Sequence, residues 1–167
     1  MKSEKYSSVD FSEHKLIIKD NSYTLKKKDT IIESITFTNI CGVLLITGDF
    51  GIHTFIREFH PAKGGRVSTH YWCEKYNGDP DEYCPKATEE IIGEELRDTE
   101  EQELIEYYSK LLSVTNLSEW EYISYAYNEY KPIWVDAEDV PFGKKIKPKL
   151  LIIFDAFNEI CKRLKDN

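Results

Sequence analysis

The first sixty residues carry short runs of β-branched, aliphatic and aromatic residues, separated by residues that favour turns. Five runs have this composition: 15–19, 23–27, 35–38, 43–47 and 53–59. Such runs favour strands. The last two flank Gly48-Asp49-Phe50-Gly51, where we expect glycines at positive φ and an aspartate that accepts from nearby backbone amides. We therefore predict four or five antiparallel strands, with the hairpin of residues 43–59 at the centre of the sheet.

From residue 68 onward, the apolar positions change to the three- and four-residue spacing of helices. Ser68 suits the N-cap of a short helix that carries Tyr71 and Trp72. Further helices are predicted over 88–112 (interrupted at Asp98-Thr99), 118–130 and 150–164. The predicted fold class is α+β: an antiparallel sheet from residues 14–60 is covered by helices from residues 68–164. We expect a single domain over residues 1–167.

The last predicted helix has the clearest apolar face. That face is formed by Leu150, Leu151, Ile153, Phe154, Phe157, Ile160, Cys161 and Leu164. By the same spacing, Asp155 falls on the opposite side, which is predicted to face solvent. In the helix before it, Trp120 and Ile123 are predicted to lie in the core. Tyr125 and Tyr130 are predicted to be exposed, where tyrosines suit contacts with a partner.

The composition indicates a folded protein without a membrane segment. Hydrophobic residues make up 41% of the 167 residues. No run approaches the roughly 20 apolar residues that a membrane helix needs. The N-terminus lacks the apolar core of a signal peptide, so we expect a cytoplasmic location. The four cysteines (Cys41, Cys73, Cys84 and Cys161) form no CxxC pair, and we expect buried free thiols.

Negative charge is concentrated in one stretch of the chain. The formal net charge is −8, and residues 79–106 contain twelve acidic residues against Lys86 and Arg97. Such a stretch repels nucleic acid and attracts a basic protein surface. The alternative is the solvated face of an amphipathic helix. The predicted partner-binding residues are Glu89, Glu90, Glu94, Glu95, Asp98, Glu100 and Glu101, with Tyr125 and Tyr130 as aromatic contacts.

Three groupings contain residue types that bind metals or catalyse reactions. Asp49, His53, His60 and His70 would form the centre of a small metal-dependent hydrolase. His70 and Cys73 share a helix face, as a zinc-ligand pair or a base and its nucleophile would. The third grouping is acidic and suits either Mg²⁺ or a solvated turn: Asp136, Glu138 and Asp139. Because each lacks further partners at a typical spacing, we expect no metal, cofactor or catalytic residue; the hydrolase is the alternative.

Two segments of the chain have distinctive sequences. One is VLLITGDFG at 43–51, followed by REF at 57–59 and YWCEK at 71–75. The other is FDAFNEICKRL at 154–164. Together they resemble a group of small proteins encoded by bacteriophages and prophages. The resemblance extends over most of residues 35–164 and is weakest over 88–130. It carries over no catalytic residue, and it implies a non-enzymatic accessory protein that acts in the host cell.

The resemblance and the charge together suggest a function. Small accessory phage proteins commonly bind a host protein, often a component of bacterial immunity such as a CRISPR nuclease. We therefore expect an inhibitor of a host defence factor, whose acidic, nucleic-acid-like surface occupies a basic groove. No contact with nucleic acid or membrane is expected. A phage structural or assembly protein, which would self-associate, is a further alternative.

Overall fold

Buried apolar side chains form two hydrophobic clusters, one in each of two units of the chain. The computed structural model describes residues 5–28, 30, 33–61, 67–130 and 140–165, with Tyr130 described by its backbone alone. Unit 1 comprises Met1–Pro80 and Ile146–Asn167, and unit 2 comprises Asp81–Lys145. The α+β class is confirmed, whereas the single domain stays a prediction. In the described part of the chain, no helix is both long and apolar enough to span a bilayer.

Unit 1 contains a five-stranded antiparallel sheet whose strands lie side by side in chain order. The strands are β1 (His14–Lys19), β2 (Ser22–Lys27), β3 (Ser34–Ile40), β4 (Val43–Gly48) and β5 (His53–Phe55). The predicted central position of the hairpin of residues 43–59 is wrong, because β3 lies at the centre and β5 is a three-residue strand beside β4 alone within the sheet. Each short connection joins two neighbouring strands, so the strands follow chain order from β1 at one edge of the sheet to β5 at the other.

The turn between β4 and β5 has the expected chemistry. Gly48 has φ +136°, and a Cβ at this position would lie 2.1 Å from the carbonyl oxygen of Ser34. The Ser34 backbone N–H donates to the Asp49 carboxylate at 2.6 Å. Gly51 also has a positive φ, of +107°. Glycine is therefore required here by conformation and close approach, and the aspartate has a structural role.

Five helices and two further short strands complete the described elements. They are α1 (Thr69–Lys75), β6 (Asp81–Tyr83), α2 (Pro85–Asp98), α3 (Gln102–Leu112), α4 (Glu119–Tyr130), β7 (Lys144–Ile146) and α5 (Pro148–Lys165). The predicted cap is confirmed, because the Ser68 side chain accepts from the Tyr71 N–H. The interruption predicted at Asp98-Thr99 separates α2 from α3. The pairing of β6 with β7 was not predicted, since three-residue strands carry almost no periodicity.

Phe157 of α5 is the hub of the aromatic core of unit 1. Its ring stacks on Trp72 of α1, with centroids 4.4 Å apart and an interplanar angle of 10°. The rings of Phe37 and Phe59 lie 4.8 and 4.5 Å from it. Phe55 of β5 contacts the same ring at 6.1 Å. One helix position thus joins the sheet, α1 and the loop after β5.

α5 also holds the N-terminal segment through two charged side chains. The Asp155 carboxylate, 8% exposed, accepts from the N–H groups of Tyr6 and Ser7 and from the Ser7 hydroxyl. The Arg163 guanidinium donates to the carbonyls of Phe11 and His14. The predicted solvent exposure of Asp155 is wrong, because three donors from the opposite end of the chain satisfy its buried carboxylate.

Unit 2 packs α2, α3 and α4 around a smaller cluster. Its buried members are Ile92, Tyr107, Leu111, Tyr122, Ala126 and Val140. Tyr122 is fully buried and donates to the Pro141 carbonyl at 2.7 Å. Burial raises the pKa of the Tyr122 phenol, because the phenolate would lose its hydration. Tyr83 of β6 stacks on Tyr122 at 5.4 Å and on Phe142 at 5.1 Å.

A polar network fixes the loop before β7 against the start of α2. The Gly143 N–H donates to the Thr88 hydroxyl at 2.9 Å, and that hydroxyl donates to the Cys84 carbonyl at 3.1 Å. The Cys84 N–H in turn donates to the Gly143 carbonyl at 2.9 Å. Thr88 is fully buried, so the network satisfies polar groups that water does not reach.

Replacing Phe157 by alanine should lower the free energy of unfolding by roughly 3–5 kcal/mol, because the aromatic core loses its shared contact. Urea denaturation followed by far-UV circular dichroism measures this. The matched control is Lys162→Ala on the same helix, where the side chain is exposed; it should stay within about 0.5 kcal/mol of the wild type. Equal effects of the two substitutions would contradict the assigned core.

Gly143→Ala should destabilise the protein, whereas Gly93→Ala should not. A Cβ at Gly143 would lie 2.3 Å from the Thr88 nitrogen and 2.4 Å from the Ala87 carbonyl carbon. We expect this overpacking to lower the free energy of unfolding by roughly 1–3 kcal/mol or more. A Cβ at Gly93, inside α2, meets no atom within 4 Å. Because alanine favours the helix more than glycine does, Gly93→Ala should raise the free energy of unfolding by about 0.5–1 kcal/mol. The melting temperatures of both variants and of the wild type, measured by thermal unfolding, test this difference. A melting temperature of Gly143→Ala equal to that of the wild type would contradict the close approach.

Candidate partner-binding surface

The charge of the protein is divided between its two units. Asp81–Lys145, which is unit 2, contains 17 acidic and 6 basic residues, a formal charge of −11. The rest of the chain has 13 acidic and 16 basic residues, a formal charge of +3. The net charge of −8 therefore understates how acidic the helical unit is.

Most of the acidic residues of unit 2 lie on the helical hairpin of α2 and α3. Glu90, Glu94 and Asp98 follow one another at intervals of four residues, so they form one exposed stripe along α2. Glu100 and Glu101 extend the stripe into the three-residue connection to α3, and both are exposed. Three of the seven predicted acidic residues thus share one face of α2, and two more follow in the connection; we call these five residues the acidic stripe.

The other two predicted acidic residues lie to either side of the acidic stripe. Glu89 accepts a hydrogen bond at 2.9 Å from the hydroxyl of Thr115, which is fully buried. At about 100° per residue, the stripe turns by about 80° around α2 from Glu90 to Asp98, and Glu95 lies about 60° beyond Asp98. Glu89 therefore has a structural partner within unit 2, and Glu95 lies beside the stripe, also exposed.

Basic residues of unit 2 neutralise part of this surface. Lys86, Arg97 and three glutamates, with Gly93 between them, line an open depression of about 420 Å³ on α2. Arg97 lies 3.9 Å from Glu94, with both side chains highly exposed. Exposed ion pairs of this kind contribute little to stability, because solvent and salt screen them. Within the described residues, Glu90, Asp98, Glu100 and Glu101 form no ion pair, so most of the acidic stripe keeps its charge.

The aromatic contacts are placed differently from the prediction. Trp120, predicted to lie in the core, is 78% exposed, and Tyr127 is 51% exposed. Tyr125, predicted to be exposed, is half-buried and packs against the cluster of unit 2. The predicted core position of Ile123 is correct only in part, since it is half-buried. The side chain of Tyr130 lies outside the described residues.

Polar interactions at both ends of α4 fix its orientation. At the start, the Glu121 carboxylate accepts from the N–H and the hydroxyl of Ser118, as in a capping box. Near the end, Lys110 of α3 donates to Glu129 at 2.9 Å, and this bond raises the pKa of the lysine. With Tyr122 and Ala126 fully buried, the Trp120 side of the helix faces outward.

The residues proposed for a hydrolase have separate partners. His53 contacts the Tyr76 hydroxyl and the Phe50 carbonyl, both at 3.1 Å. His60 lies 2.9 Å from Glu58, and Asp49 accepts from Ser34. His70 is exposed. Among the residues that the structure describes, no three metal-ligating side chains converge. Asp136, Glu138 and Asp139 lie outside that set.

None of the four cysteines, all of which lie in the described part of the chain, forms a disulfide, but the predicted burial is wrong for Cys41, which is exposed. Cys41 and Gly42 form a two-residue loop between β3 and β4, with φ values of +48° and +86°. These values are those of a type I′ turn, which needs positive φ at both central residues. The other three cysteines are half-buried, and burial raises the pKa of the Cys161 thiol.

The cysteines should therefore differ in reactivity. Thiolate is the reactive form, and a raised pKa leaves less thiolate at a given pH. We expect iodoacetamide at pH 8 to label Cys41 first and Cys161 more slowly. Peptide mass spectrometry after timed quenching gives both rates, and equal rates in urea would show that the difference comes from the fold. Faster labelling of Cys161 in the native protein would contradict the assigned burial.

Comparison with known proteins assigns no family to the chain. The chain matches no protein-family model, no curated protein sequence and no solved structure. The placement of charge and of exposed aromatic side chains is therefore the support for a function.

Proposed function

We propose that this protein acts by binding a basic surface of another protein through its acidic helical hairpin. In the proposed setting, the protein is phage- or prophage-encoded, and the partner is a host factor of anti-phage immunity that normally binds nucleic acid. Occupying the nucleic-acid groove of that factor would inhibit it without catalysis. The resemblance of residues 43–75 and 154–164 to phage-encoded proteins supports this setting.

The charge density of the α2–α3 hairpin is the observation that carries the proposal. Residues 86–106 contain nine acidic and two basic residues, a formal charge of −7. The 14 residues of α2 span about 21 Å at a rise of about 1.5 Å each. The hairpin therefore carries one net negative charge per roughly 3 Å of its length, close to the 3.4 Å spacing along one strand of DNA.

The cost of this arrangement in the free protein favours a binding role. Glu90, Glu94 and Asp98 are like charges at i, i+4 spacing, and each such pair destabilises a helix by roughly 0.2–0.5 kcal/mol. A basic partner would replace this repulsion with attraction and would also increase the association rate. Because the stripe is exposed, the attraction should weaken as salt screens it.

Reversing two charges of the acidic stripe should strongly reduce capture of the partner. The variant is Glu90→Lys with Asp98→Lys, both exposed and without an ion pair among the described residues. Immobilised wild-type protein should retain a nucleic-acid-binding protein from a bacterial lysate, and both added salt and duplex DNA should release it. The variant should retain at least roughly tenfold less, because steering and contact charges are both lost.

The control changes net charge by the same amount elsewhere. Glu13→Lys with Glu74→Lys reverses two exposed acidic residues of unit 1. This control should capture the partner as well as the wild type does. Capture that survives the stripe reversal, or that duplex DNA fails to compete, would rule out the proposal.

A further inference from the structure

We propose that the outward side of α4 is a docking seam for a cationic, amphipathic helix of the partner protein. The seam consists of Trp120, Ile123 and Tyr127. This inference rests on the proposed function and adds to it the residues that anchor the partner and the structural element that they hold.

The spacing of the seam fits a helix. Trp120, Ile123 and Tyr127 stand at i, i+3 and i+7, which are successive a, d and a positions of a heptad. At 100° per residue, the three lie within about 60° of one another around α4. A stripe this narrow matches the seam between two helices that cross at about 20°. Tyr130 continues the register at the next d position.

Two of the three seam residues, Trp120 and Tyr127, are separate from the packing of unit 2, whereas Ile123 is half-buried against its cluster. Tyr122 and Ala126 fill the inward side of α4 and are fully buried. Trp120 and Tyr127, in contrast, belong to neither hydrophobic cluster and contact no other ring among the residues described. α4 therefore has an inward apolar side that its own unit fills and an outward side formed by Trp120 and Tyr127, with Ile123 at the border between them. Exposed tryptophan and tyrosine are the residue types that most often dominate binding energy at interfaces.

Charge selects the occupant of the seam. Glu119 and Glu121 flank Trp120 and are exposed. The whole unit carries −11. A second copy of the chain would bring the same acidic unit against this face, so self-association there is opposed. Nucleic acids and anionic membranes are repelled in the same way. A helix with an apolar stripe bordered by lysine or arginine satisfies both the seam and its flanking carboxylates, and its cations can also lie over the indole ring.

A synthetic peptide can stand in for the partner helix. The probe is a fluorescein-labelled three-heptad peptide with Leu at a and d and Lys at e and g, and fluorescence anisotropy measures its binding to the full chain. The wild type should bind it, and Trp120→Ala or Tyr127→Ala should each weaken binding roughly tenfold or more. Trp120→Phe should retain most of the affinity, since an aromatic ring remains.

Two controls separate the seam from general charge attraction. Ile52 of unit 1 is 76% exposed, and Ile52→Ala should leave binding unchanged. A second peptide keeps every Lys and has Ser at a and d; it should bind more weakly and should not distinguish the wild type from Trp120→Ala. Circular dichroism should show that all variants keep the wild-type fold, because the replaced side chains are exposed.

Several outcomes would overturn the inference. Equal binding of the leucine peptide to the wild type and to Trp120→Ala would do so, as would no binding to the wild type. A wild-type dimer that Trp120→Ala dissociates, seen by light scattering, would make the seam a contact between copies instead. If both peptides bind the wild type alike and Glu90→Lys with Asp98→Lys weakens both, the charge-based function stands and the seam is rejected. Failure of the lysate capture counts against the proposed function separately.

Discussion

Unit 1 depends on the stacking of Phe157 against Trp72. This contact joins the last helix to α1, and the rings of Phe37, Phe55 and Phe59 close around it. The sheet buries one face, and α5 is the long apolar element that covers it. Asp155 and Arg163 of the same helix fix the N-terminal segment. A single helix late in the chain therefore fixes both the sheet and the segment around Tyr6, Ser7 and Phe11.

Unit 2 differs from unit 1 because it combines a small hydrophobic core with a high negative charge. Its cluster contains two tyrosines whose rings are buried, and hydrogen bonds from Tyr83 and Tyr122 reach backbone carbonyls. The network of Cys84, Thr88 and Gly143 closes the unit near its ends. Exposed carboxylates add repulsion of only tenths of a kcal/mol per pair, so such a core can carry them. Function, as we propose it, uses this tolerated charge.

The acidic stripe and the α4 seam would contribute different parts of binding. Exposed charges act mainly on the association rate and on the choice of partner, because solvent and salt screen them. A tryptophan that loses its water contributes to the lifetime of the complex. A surface with charge alone would bind many basic proteins weakly. The exposed rings on α4 would supply the discrimination that charge lacks.

The sequence by itself determined the elements whose pattern is local. Strand runs separated by turns predicted the antiparallel sheet, Ser68 predicted its cap, and the apolar spacing of residues 150–164 predicted α5. The glycine turn at 48–51 was also predictable, because it is specified by adjacent residues. The concentration of acidic residues that supports the proposed function was visible in the same way.

Tertiary structure alone decided which side of an ambiguous element faces inward. α4 has apolar residues on two sides, and only its packing against α2 and α3 selected Tyr122 over Trp120. Asp155 is buried because its donors, Tyr6 and Ser7, lie about 150 residues away in the chain. The order of the strands placed β3 at the centre of the sheet. β6 pairs with β7, although α2, α3 and α4 separate these two strands in the chain. Each of these outcomes depends on contacts between distant residues, which no local periodicity specifies.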